Sequence, residues 1–318
     1  MTITQLTYVL AVAEYKNFTK ASEKVFVTQP TLSMQVQKLE EELNVKIFDR
    51  TKKPIKLTPV GEKIIEQAKN IVNESVRIQD IVDQQKGFVG GEFKLGIIPT
   101  VMPTLLPMFL KNFVNKYPKI NLKIEELHTE VIIEKLIDGH LDAGIAATPL
   151  GDEKIKEKPL YYEPFMAYIP EQHRLFNSKD IVAEDLDVDE VLLLEDGHCF
   201  KDNILNLCKS VQNLPDQRRF YLESGSFETL IKLSDEGLGM TLLPYLHTLD
   251  LKQGKQGNIK FFKKPYPSRE ISLVHHKNEL KSHIIKALHE SINSIVKAAI
   301  QFQDIEIISP INQNKKNS

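Results

Sequence analysis

The sequence predicts a small all-α domain, one long helix and a larger α/β domain, and three observations lead to this division. In residues 1–58, apolar side chains recur at steps of three and four, which is typical of short amphipathic helices. One helical pattern then extends from residue 59 to a glycine-rich hinge at 87–91. In residues 92–302, strand-like and helix-like segments alternate, which indicates a mostly parallel sheet with helices on both faces.

Length, composition and charge limit the class of protein. The chain has 318 residues, of which 42% are apolar and 26% are charged, as expected for two or three globular units. It has no apolar run near the roughly 18 residues of a membrane span, and its N-terminus does not resemble a signal peptide, so we expect a cytoplasmic protein. The net charge is −2, but residues 1–58 carry nine basic and six acidic side chains, a net +3. This asymmetry favours an anionic polymer as partner.

The first 58 residues contain three predicted helices. The apolar face of the first is formed by Leu6, Val9, Leu10 and Ala13. A second short helix follows Thr19. The third begins at Thr28, a favourable N-cap followed by Pro30 in the first turn. Its buried stripe is predicted to be Leu32, Val36, Leu39 and Leu43.

The outward face of the third helix carries short polar side chains that can reach base edges and phosphates. These are Gln29, Thr31, Ser33, Gln35 and Lys38. Two helices joined by a short turn, with such a face on the second, are typical of a helix-turn-helix that binds DNA. The same periodicity also fits a small helical bundle with no DNA partner.

The long helix opens at Thr58, a cap residue, followed by Pro59 at its first position. Its apolar positions alternate steps of four and three: Ile64, Ala68, Ile71, Ser75, Ile78 and Val82. This spacing is typical of a coiled-coil seam and predicts dimerisation through residues 59–91. The alternative is a helix that packs against its own domain.

The α/β region is predicted from short apolar runs and amphipathic segments. Strands are expected at 93–98, 121–127, 143–147, 165–169, 191–194, 220–222, 239–243 and 271–275, with helices at 105–114, 130–137 and 279–300. In open α/β sheets, ligands gather at the carboxyl ends of strands. Thr100 and Thr129 follow the first two strands and could face a shared cleft, or they could simply be helix N-caps.

Both cysteines of the chain fall within one segment. Cys199 follows an apolar run and a Glu-Asp-Gly-His turn, and the residues from Cys199 to Cys208 have helical spacing. Cys199 is therefore expected at a helix N-terminus, where the helix dipole favours a thiolate. An unbroken helix would separate the two Cα atoms by roughly 13 Å, whereas a disulfide needs about 7 Å or less. A bond would require this helix to unwind; the alternative is that both thiols are buried, reduced and inert.

Four segments resemble the winged helix-turn-helix of LysR-type transcription regulators. They are residues 18–22 (Phe-Thr-Lys-Ala-Ser), 28–33 (Thr-Gln-Pro-Thr-Leu-Ser), 39–43 and 47–61. The resemblance implies a DNA-binding domain at 1–58 whose wing, residues 46–56, brings Arg50 and Lys53 to DNA. It also implies a dimerisation linker at 59–91 and a regulatory domain at 92–302 with two lobes like periplasmic binding proteins. Residues 303–318 are polar, which predicts a frayed C-terminal tail. One departure is Met34, where the family usually has a basic residue.

The segment Leu-Glu-Asp-Gly-His-Cys followed by Cys208 resembles the redox segment of the peroxide-sensing members of this family. The resemblance implies that hydrogen peroxide oxidises Cys199, which then forms a disulfide with Cys208. It further implies that Thr100, Thr129 and His198 orient peroxide and that Arg269 favours the thiolate, although a lone arginine more often makes a surface ion pair.

As partners the resemblance implies double-stranded DNA, hydrogen peroxide, further copies of the chain in a homodimer or homotetramer, and RNA polymerase. We expect no cofactor, no metal and no enzymatic activity, because the sequence has no metal-ligand spacing, phosphate loop or nucleophile motif. One alternative is a LysR-type regulator that binds a metabolite between the lobes, with incidental cysteines. The predicted helix-turn-helix argues against a thiol peroxidase. An N-terminus that does not resemble a signal peptide argues against a transport binding protein.

Overall fold

The structure is a computed structural model that describes residues 1–85, 90–195, 199–208, 222, 224–251 and 253–311. The chain divides into two compact units, Met1–Phe88 and Val89–Ser318. The first unit therefore includes the long helix, which the sequence assigns to a separate linker. None of the described helices is long and apolar enough to cross a membrane.

The N-terminal unit consists of three short helices, a two-stranded antiparallel hairpin and the long helix. In chain order these are α1 (Ile3–Tyr15), α2 (Phe18–Lys24), α3 (Gln29–Glu42), β1 (Phe48–Asp49), β2 (Lys56–Leu57) and α4 (Pro59–Gln85). Side chains cap the first three helices, as polar residues commonly do, and the caps are Thr2, Asn17 and Thr28. Helix α2 thus begins one residue before Thr19 rather than after it.

The predicted stripe of α3 is largely confirmed. Leu32, Val36 and Leu39 are fully buried in the core of the unit, where they meet Val9 of α1 and Ile47 before the hairpin. Leu43 was wrongly placed in this stripe, because it caps the C-terminus of α3 and is exposed. The hairpin that follows is the predicted wing.

The apolar seam of α4 is divided between two environments. Ala68 is buried in the core of the N-terminal unit, and Ile64 and Ile71 pack against that core. Ile78 is 65% exposed and Val82 is 39% exposed. The first half of the seam therefore stabilises its own unit, as the alternative reading expected, and only the second half presents apolar surface.

The second unit is an α/β domain whose strands form one curled mixed sheet. Its strands are β3 (Gly91–Ile97), β4 (Ile120–Glu126), β5 (Ala143–Thr148), β6 (Ile155–Tyr168), β7 (Val191–Leu192), β8 (Met240–Pro244), β9 (Ile259–Lys260), β10 (Tyr266–His276) and β11 (Ile305–Ile307). Its helices are α5 (Met102–Lys116), α6 (Thr129–Ile137), α7 (Cys199–Leu207), α8 (Phe227–Asp235), α9 (Tyr245–Leu249) and α10 (Ser282–Ala299). The strand order is β4-β3-β5-β10-β6-β8-β7, with β11 beside β10 and β9 beside β6.

The long strand β6 takes part in both lobes of the domain. Strand β6 pairs with β10 through Ile155–Pro164 and with β8 through Phe165–Tyr168, so one strand serves both lobes. Each lobe has its own core: Phe93 and Ile145 lie in the first, and Phe165 and Met240 in the second. The two-lobed α/β architecture is as predicted, but β10 runs antiparallel to both β5 and β6, so the sheet is mixed rather than mostly parallel.

The chain beyond residue 302 differs from the predicted polar tail. Strand β11 pairs in parallel with β10, and the amide of Ile308 donates a hydrogen bond to the carbonyl of Ser268 at 2.8 Å. Ile305 and Ile307 supply the alternating pattern of a short edge strand, which sequence analysis passed over. Residues 220 and 221 of the predicted strand at 220–222, and most of the glycine hinge, lie outside the described residues.

Candidate redox site and DNA-binding surface

Helix α7 carries one cysteine at each end. It begins at Cys199, as predicted, and its amide-to-carbonyl bonding continues to the end, where the amide of Cys208 donates to the carbonyl of Ile204 at 2.9 Å. An unbroken helix of this length holds the two Cα atoms roughly 13 Å apart. Both thiols are free and buried, Cys199 in the core of the first lobe and Cys208 in that of the second. Residue His198 lies outside the described residues.

The surroundings of Cys199 act on its acidity in opposite directions. Burial raises the pKa of the thiol above its ordinary value, whereas the Thr129 hydroxyl, the Arg269 charge and the backbone of Ala147 each lower it. The effect of burial is the largest, so the pKa of the Cys199 thiol is raised overall. The sequence predicted a depressed pKa from the helix N-terminus; the structure reverses this because the sulfur is desolvated within a packed core.

Thr129 lies at the start of α6 and turns its hydroxyl into the core beside Cys199. Its contact with the sulfur is a weak one, because the buried hydroxyl meets no partner at hydrogen-bond geometry among the described residues. His128, not Thr129, is the N-cap of α6, and Val101, not Thr100, is the N-cap of α5. The alternative of simple capping is therefore wrong for both threonines.

Arg269 is buried and makes four hydrogen bonds. Its side chain is 1% exposed; Nε and Nη2 donate to Oε2 of Glu163 at 3.0 and 2.7 Å. Nη1 donates to the Thr100 hydroxyl at 2.9 Å and Nη2 to the Thr100 carbonyl at 3.2 Å. The guanidinium carbon lies 5.0 Å from the ring centroid of Phe200, next to Cys199. The expectation of a surface ion pair was wrong.

Two residues at this site were missed by sequence analysis. Glu163 is buried, and while one carboxylate oxygen binds Arg269 the other accepts from the amide of Leu246 at 2.9 Å. The hydroxyl of Tyr161 is buried in the first lobe without a hydrogen-bond partner in the described part of the chain, and burial raises its pKa well above its ordinary value. Both residues lie in β6, and isolated polar residues in a strand pattern give no signal that they face a cleft.

Cys208 has a different environment. Burial, together with the negative charge of Asp187, raises the pKa of its thiol to about 11. Its side chain is 1% exposed and belongs to the second-lobe core with Leu207 and Ile204. A thiol of this kind is almost wholly protonated at neutral pH and is a poor nucleophile while it remains in the core.

The DNA-facing residues predicted on α3 separate into two groups. Gln29, Thr31 and Lys38 are exposed. The half-buried Gln35 accepts from Nε2 of Gln5 at 3.3 Å, and the half-buried Ser33 accepts from Nη1 of Arg50 at 3.3 Å. The first group is exposed to an external partner, although the Thr31 hydroxyl lies 2.8 Å from that of Thr28; the second group already bonds residues elsewhere in the domain.

Arg50 also joins the wing to α3. Its Nη2 lies 3.2 Å from Oε2 of Glu40, and its guanidinium carbon is 4.9 Å from the ring centroid of Phe18. The Glu40 carboxylate is buried, and its other oxygen accepts from the amides of Ile47 and Phe48 at 2.8 and 3.2 Å. Arg50 therefore has a structural role that its sequence position did not reveal. Lys53, near the tip of the wing, is exposed.

A helix-turn-helix with a wing, followed by a two-lobed α/β domain, is the architecture of a bacterial transcription regulator, and the comparisons define the family. Residues 3–62 match the bacterial regulatory helix-turn-helix of the lysR family, and residues 86–295 match the LysR substrate binding domain. The chain belongs to the LysR family of DNA-binding transcriptional regulators.

Within that family, several relatives are named as peroxide regulators. The chain is 33% identical to a hydrogen peroxide-inducible genes activator of Pectobacterium carotovorum, over 86% of this chain and 90% of that protein. It is 32% identical to the DNA-binding transcriptional dual regulator OxyR of Escherichia coli K12, over 86% and 89% of the two chains. A full-length OxyR variant from Pseudomonas aeruginosa has a TM-score of 0.74 and 34% identity, covering 92% of this chain and 98% of that one. A hydrogen peroxide-bound OxyR mutant from Corynebacterium glutamicum has a TM-score of 0.59 and 28% identity, covering 96% and 98%.

Proposed function

We propose that this protein regulates transcription in response to hydrogen peroxide, through oxidation of Cys199 and disulfide formation with Cys208. The observation that carries the proposal is the placement of Cys199 beside Thr129 and Arg269, with Cys208 at the other end of the same helix. The names of several relatives, which are called hydrogen peroxide-inducible genes activators or OxyR, support the same function. Sensing then needs no cofactor, because sulfur is itself oxidised.

The first step is attack of the Cys199 thiolate on one oxygen of hydrogen peroxide. The S–O bond forms as the O–O bond breaks, so sulfur loses two electrons and the leaving hydroxide takes a proton to become water. The Thr129 hydroxyl, which has no hydrogen-bond partner among the residues that the structure describes, can bond the incoming peroxide. Arg269, held by Glu163, places a positive charge near the sulfur and favours the anionic form. We assign Thr100 and His198 to the same peroxide site.

The second step joins the two sulfurs. The Cys208 thiolate attacks the sulfur of the Cys199 sulfenic acid, an S–S bond forms, and hydroxide leaves and is protonated to water. Because the helix holds the two Cα atoms about twice too far apart, α7 must unwind for this step. Unwinding removes Phe200, Ile204 and Leu207 from the second-lobe core, at a cost of about 1.5–3 kcal/mol for each fully exposed side chain. That cost returns the helix to its reduced fold once the disulfide is broken.

The output of the switch is DNA binding by the N-terminal unit. We assign the DNA contacts to Gln29, Thr31, Ser33, Gln35 and Lys38 of α3, and to Arg50 and Lys53 of the wing. The exposed Ile78 and Val82 of α4 are suited to pairing with a second copy of the chain, as a homodimer that can assemble into a tetramer. RNA polymerase is the further partner that a transcription regulator requires, and the cytoplasm is where these partners meet.

Oligomer formation is tested with Ile78→Glu, because that side chain is exposed and its loss leaves the N-terminal core intact. A buried charge at a dimer interface is costly, so sedimentation should show a smaller particle with an unchanged circular dichroism spectrum. Unchanged assembly would exclude this half of α4 as the interface. Ile71→Glu is a poor variant for this purpose, since Ile71 packs on the unit's own core.

Mass spectrometry after a small peroxide dose tests the sensing function. We expect a Cys199–Cys208 linked peptide in the wild-type chain and release of the linkage by a thiol reductant. Transcription from a bound promoter, measured in parallel, should change with the linkage. If transcription responds to peroxide without the linkage, or if both thiols stay reduced, the mechanism is wrong; the second result would favour a metabolite-binding regulator.

A further inference from the structure

The middle of the outward face of α3 is occupied by a methionine. Met34 is 60% exposed, whereas Leu32, Val36 and Leu39 on the opposite side of the helix are fully buried. At 100° per residue, Met34 points roughly 170° away from the centre of that buried stripe. Pro30 and Lys38, one turn before and one turn after Met34, are also exposed. Met34 is thus the outermost large apolar side chain of the helix.

The polar residues next to Met34 have partners within the protein. Ser33 accepts from Arg50, Gln35 accepts from Gln5, and Gln37 donates to Glu41 at 2.8 Å. A single exposed apolar side chain is ordinary on a protein surface. This one, however, lies at the centre of the face that a helix-turn-helix turns toward the major groove. The feature that distinguishes it is therefore its position.

We propose that Met34 contacts the 5-methyl group of a thymine in the major groove and thereby sets the preference for one base pair in each half-site. The thioether cannot donate a hydrogen bond and carries no charge, so it cannot read guanine or bind a phosphate as a basic side chain would. The thymine methyl is the apolar group that a base pair presents in this groove. A long, unbranched and polarisable side chain is well suited to pack on it. The inference rests on DNA binding by α3.

The test uses the full chain and a duplex that the chain selects from a random library. Each thymine of that duplex is replaced in turn by deoxyuridine, which differs only by the missing methyl group. At one thymine in each half-site we expect the wild-type chain to lose about threefold to fivefold in affinity, the effect of about 0.8 kcal/mol for one buried carbon. Met34→Ala should bind the thymine and uracil duplexes equally at that position, whereas Met34→Leu should keep most of the difference.

A second measurement separates base contact from phosphate contact. Met34→Ala should leave the dependence of affinity on salt unchanged, because no phosphate contact is lost; Lys38→Ala, as a matched control, should reduce the slope by about one ion. If Met34→Ala and the wild type respond alike to every uracil, or if Met34→Ala weakens all duplexes equally, the proposal is overturned. Failure of the wild type to select any duplex would overturn DNA binding by α3 and this inference together.

Discussion

Cys199 and Cys208 lie at the two ends of one helix but in different chemical environments. Near Cys199 the protein places a hydroxyl, a backbone contact and a buried guanidinium, which lower the pKa of the thiol, although burial and the charge of Asp202 raise it. Near Cys208 it places apolar side chains and the carboxylate of Asp187, which adds to burial and raises the pKa to about 11. Both sulfurs are buried, so their two sites differ in the polar and charged groups that surround the sulfur.

The two environments indicate different roles for Cys199 and Cys208. Cys199 is better suited to carry a thiolate, because the Thr129 hydroxyl and the Arg269 charge both lower the pKa of its thiol. The second-lobe core around Cys208 disfavours an anion, so Cys208 becomes reactive only after α7 unwinds and releases it to water. The order of the two steps therefore follows from the fold.

The largest expected effect separates the two cysteines by substitution. Cys199→Ser should abolish the transcriptional response to peroxide, because serine forms neither a thiolate nor a sulfenic acid. Cys208→Ser should still oxidise at Cys199 but stop there, so that a sulfenic-acid probe labels Cys199 or higher oxidation follows. Equal labelling in the two variants would show that the environments do not determine which sulfur reacts first.

The next effect is the pH dependence of the first step, measured in Cys208→Ser. Because the pKa of Cys199 is raised, most of the thiol is protonated at neutral pH, and the thiolate fraction grows about tenfold with each pH unit below the pKa. The oxidation rate should therefore rise about a hundredfold from pH 6 to pH 8. A rate that is level across this range would mean that the reacting thiol has a depressed pKa, as the sequence alone predicted.

A smaller effect is expected at Thr129. Thr129→Val keeps the shape of the side chain but removes the hydroxyl that lowers the pKa of Cys199 and that we assign to the proposed peroxide site. A well-formed hydrogen bond to a charged group contributes about 1.5–3 kcal/mol; because the contact with the sulfur is weak, oxidation at pH 7 should slow by up to about tenfold. Thr104→Val in α5, where the hydroxyl bonds the Val101 carbonyl, is the matched control and should change the rate little. Equal rates in all three proteins would remove Thr129 from the site.

Features that depend on a local pattern are the ones that the sequence predicts best. The caps at Thr28 and Thr58, the stripe of α3 and the start of α7 at Cys199 follow from spacing within one or two helical turns. Burial that depends on distant elements is predicted less well. Nothing in the periodicity of α4 reveals that Ala68 packs on its own unit while Ile78 stays exposed, because that depends on where α1 lies.

The residues that meet at the redox site are harder still to predict from the sequence. Arg269 and Glu163 are 106 positions apart in the chain and meet only because β6 and β10 pair across both lobes. The pKa of Cys199 was predicted with the wrong sign because a helix N-terminus can be recognised in sequence, whereas the depth of burial cannot. Strand β11 was missed because three residues are too few for a reliable alternating pattern.

The smallest expected effect concerns the C-terminal segment, which binds the Cys208 end of α7. Asn203 is buried and donates from Nδ2 to the carbonyl of Ile308 at 2.6 Å; Asn206 donates to the carbonyls of Ser309 and Ile311 at 2.8 and 3.2 Å. Because β11 is anchored on β10, these bonds hold α7 in its helical form, and unwinding must break them.

A neutral hydrogen bond contributes about 0.5–1.5 kcal/mol, so Asn206→Ala should shift the thiol–disulfide equilibrium toward the disulfide by about twofold to tenfold in a glutathione titration. Asn293→Ala on α10, where the amide bonds His289 within the described part of the chain, is the matched control and should leave the equilibrium unchanged. Oxidation of the wild type should also reduce hydrogen-exchange protection in residues 304–311 together with α7, while the core of the N-terminal unit keeps its own. If the segment keeps its protection on oxidation and Asn206→Ala titrates as the wild type does, the C-terminal strand does not stabilise the reduced helix, and the difference between the two cysteines depends on the lobe cores alone.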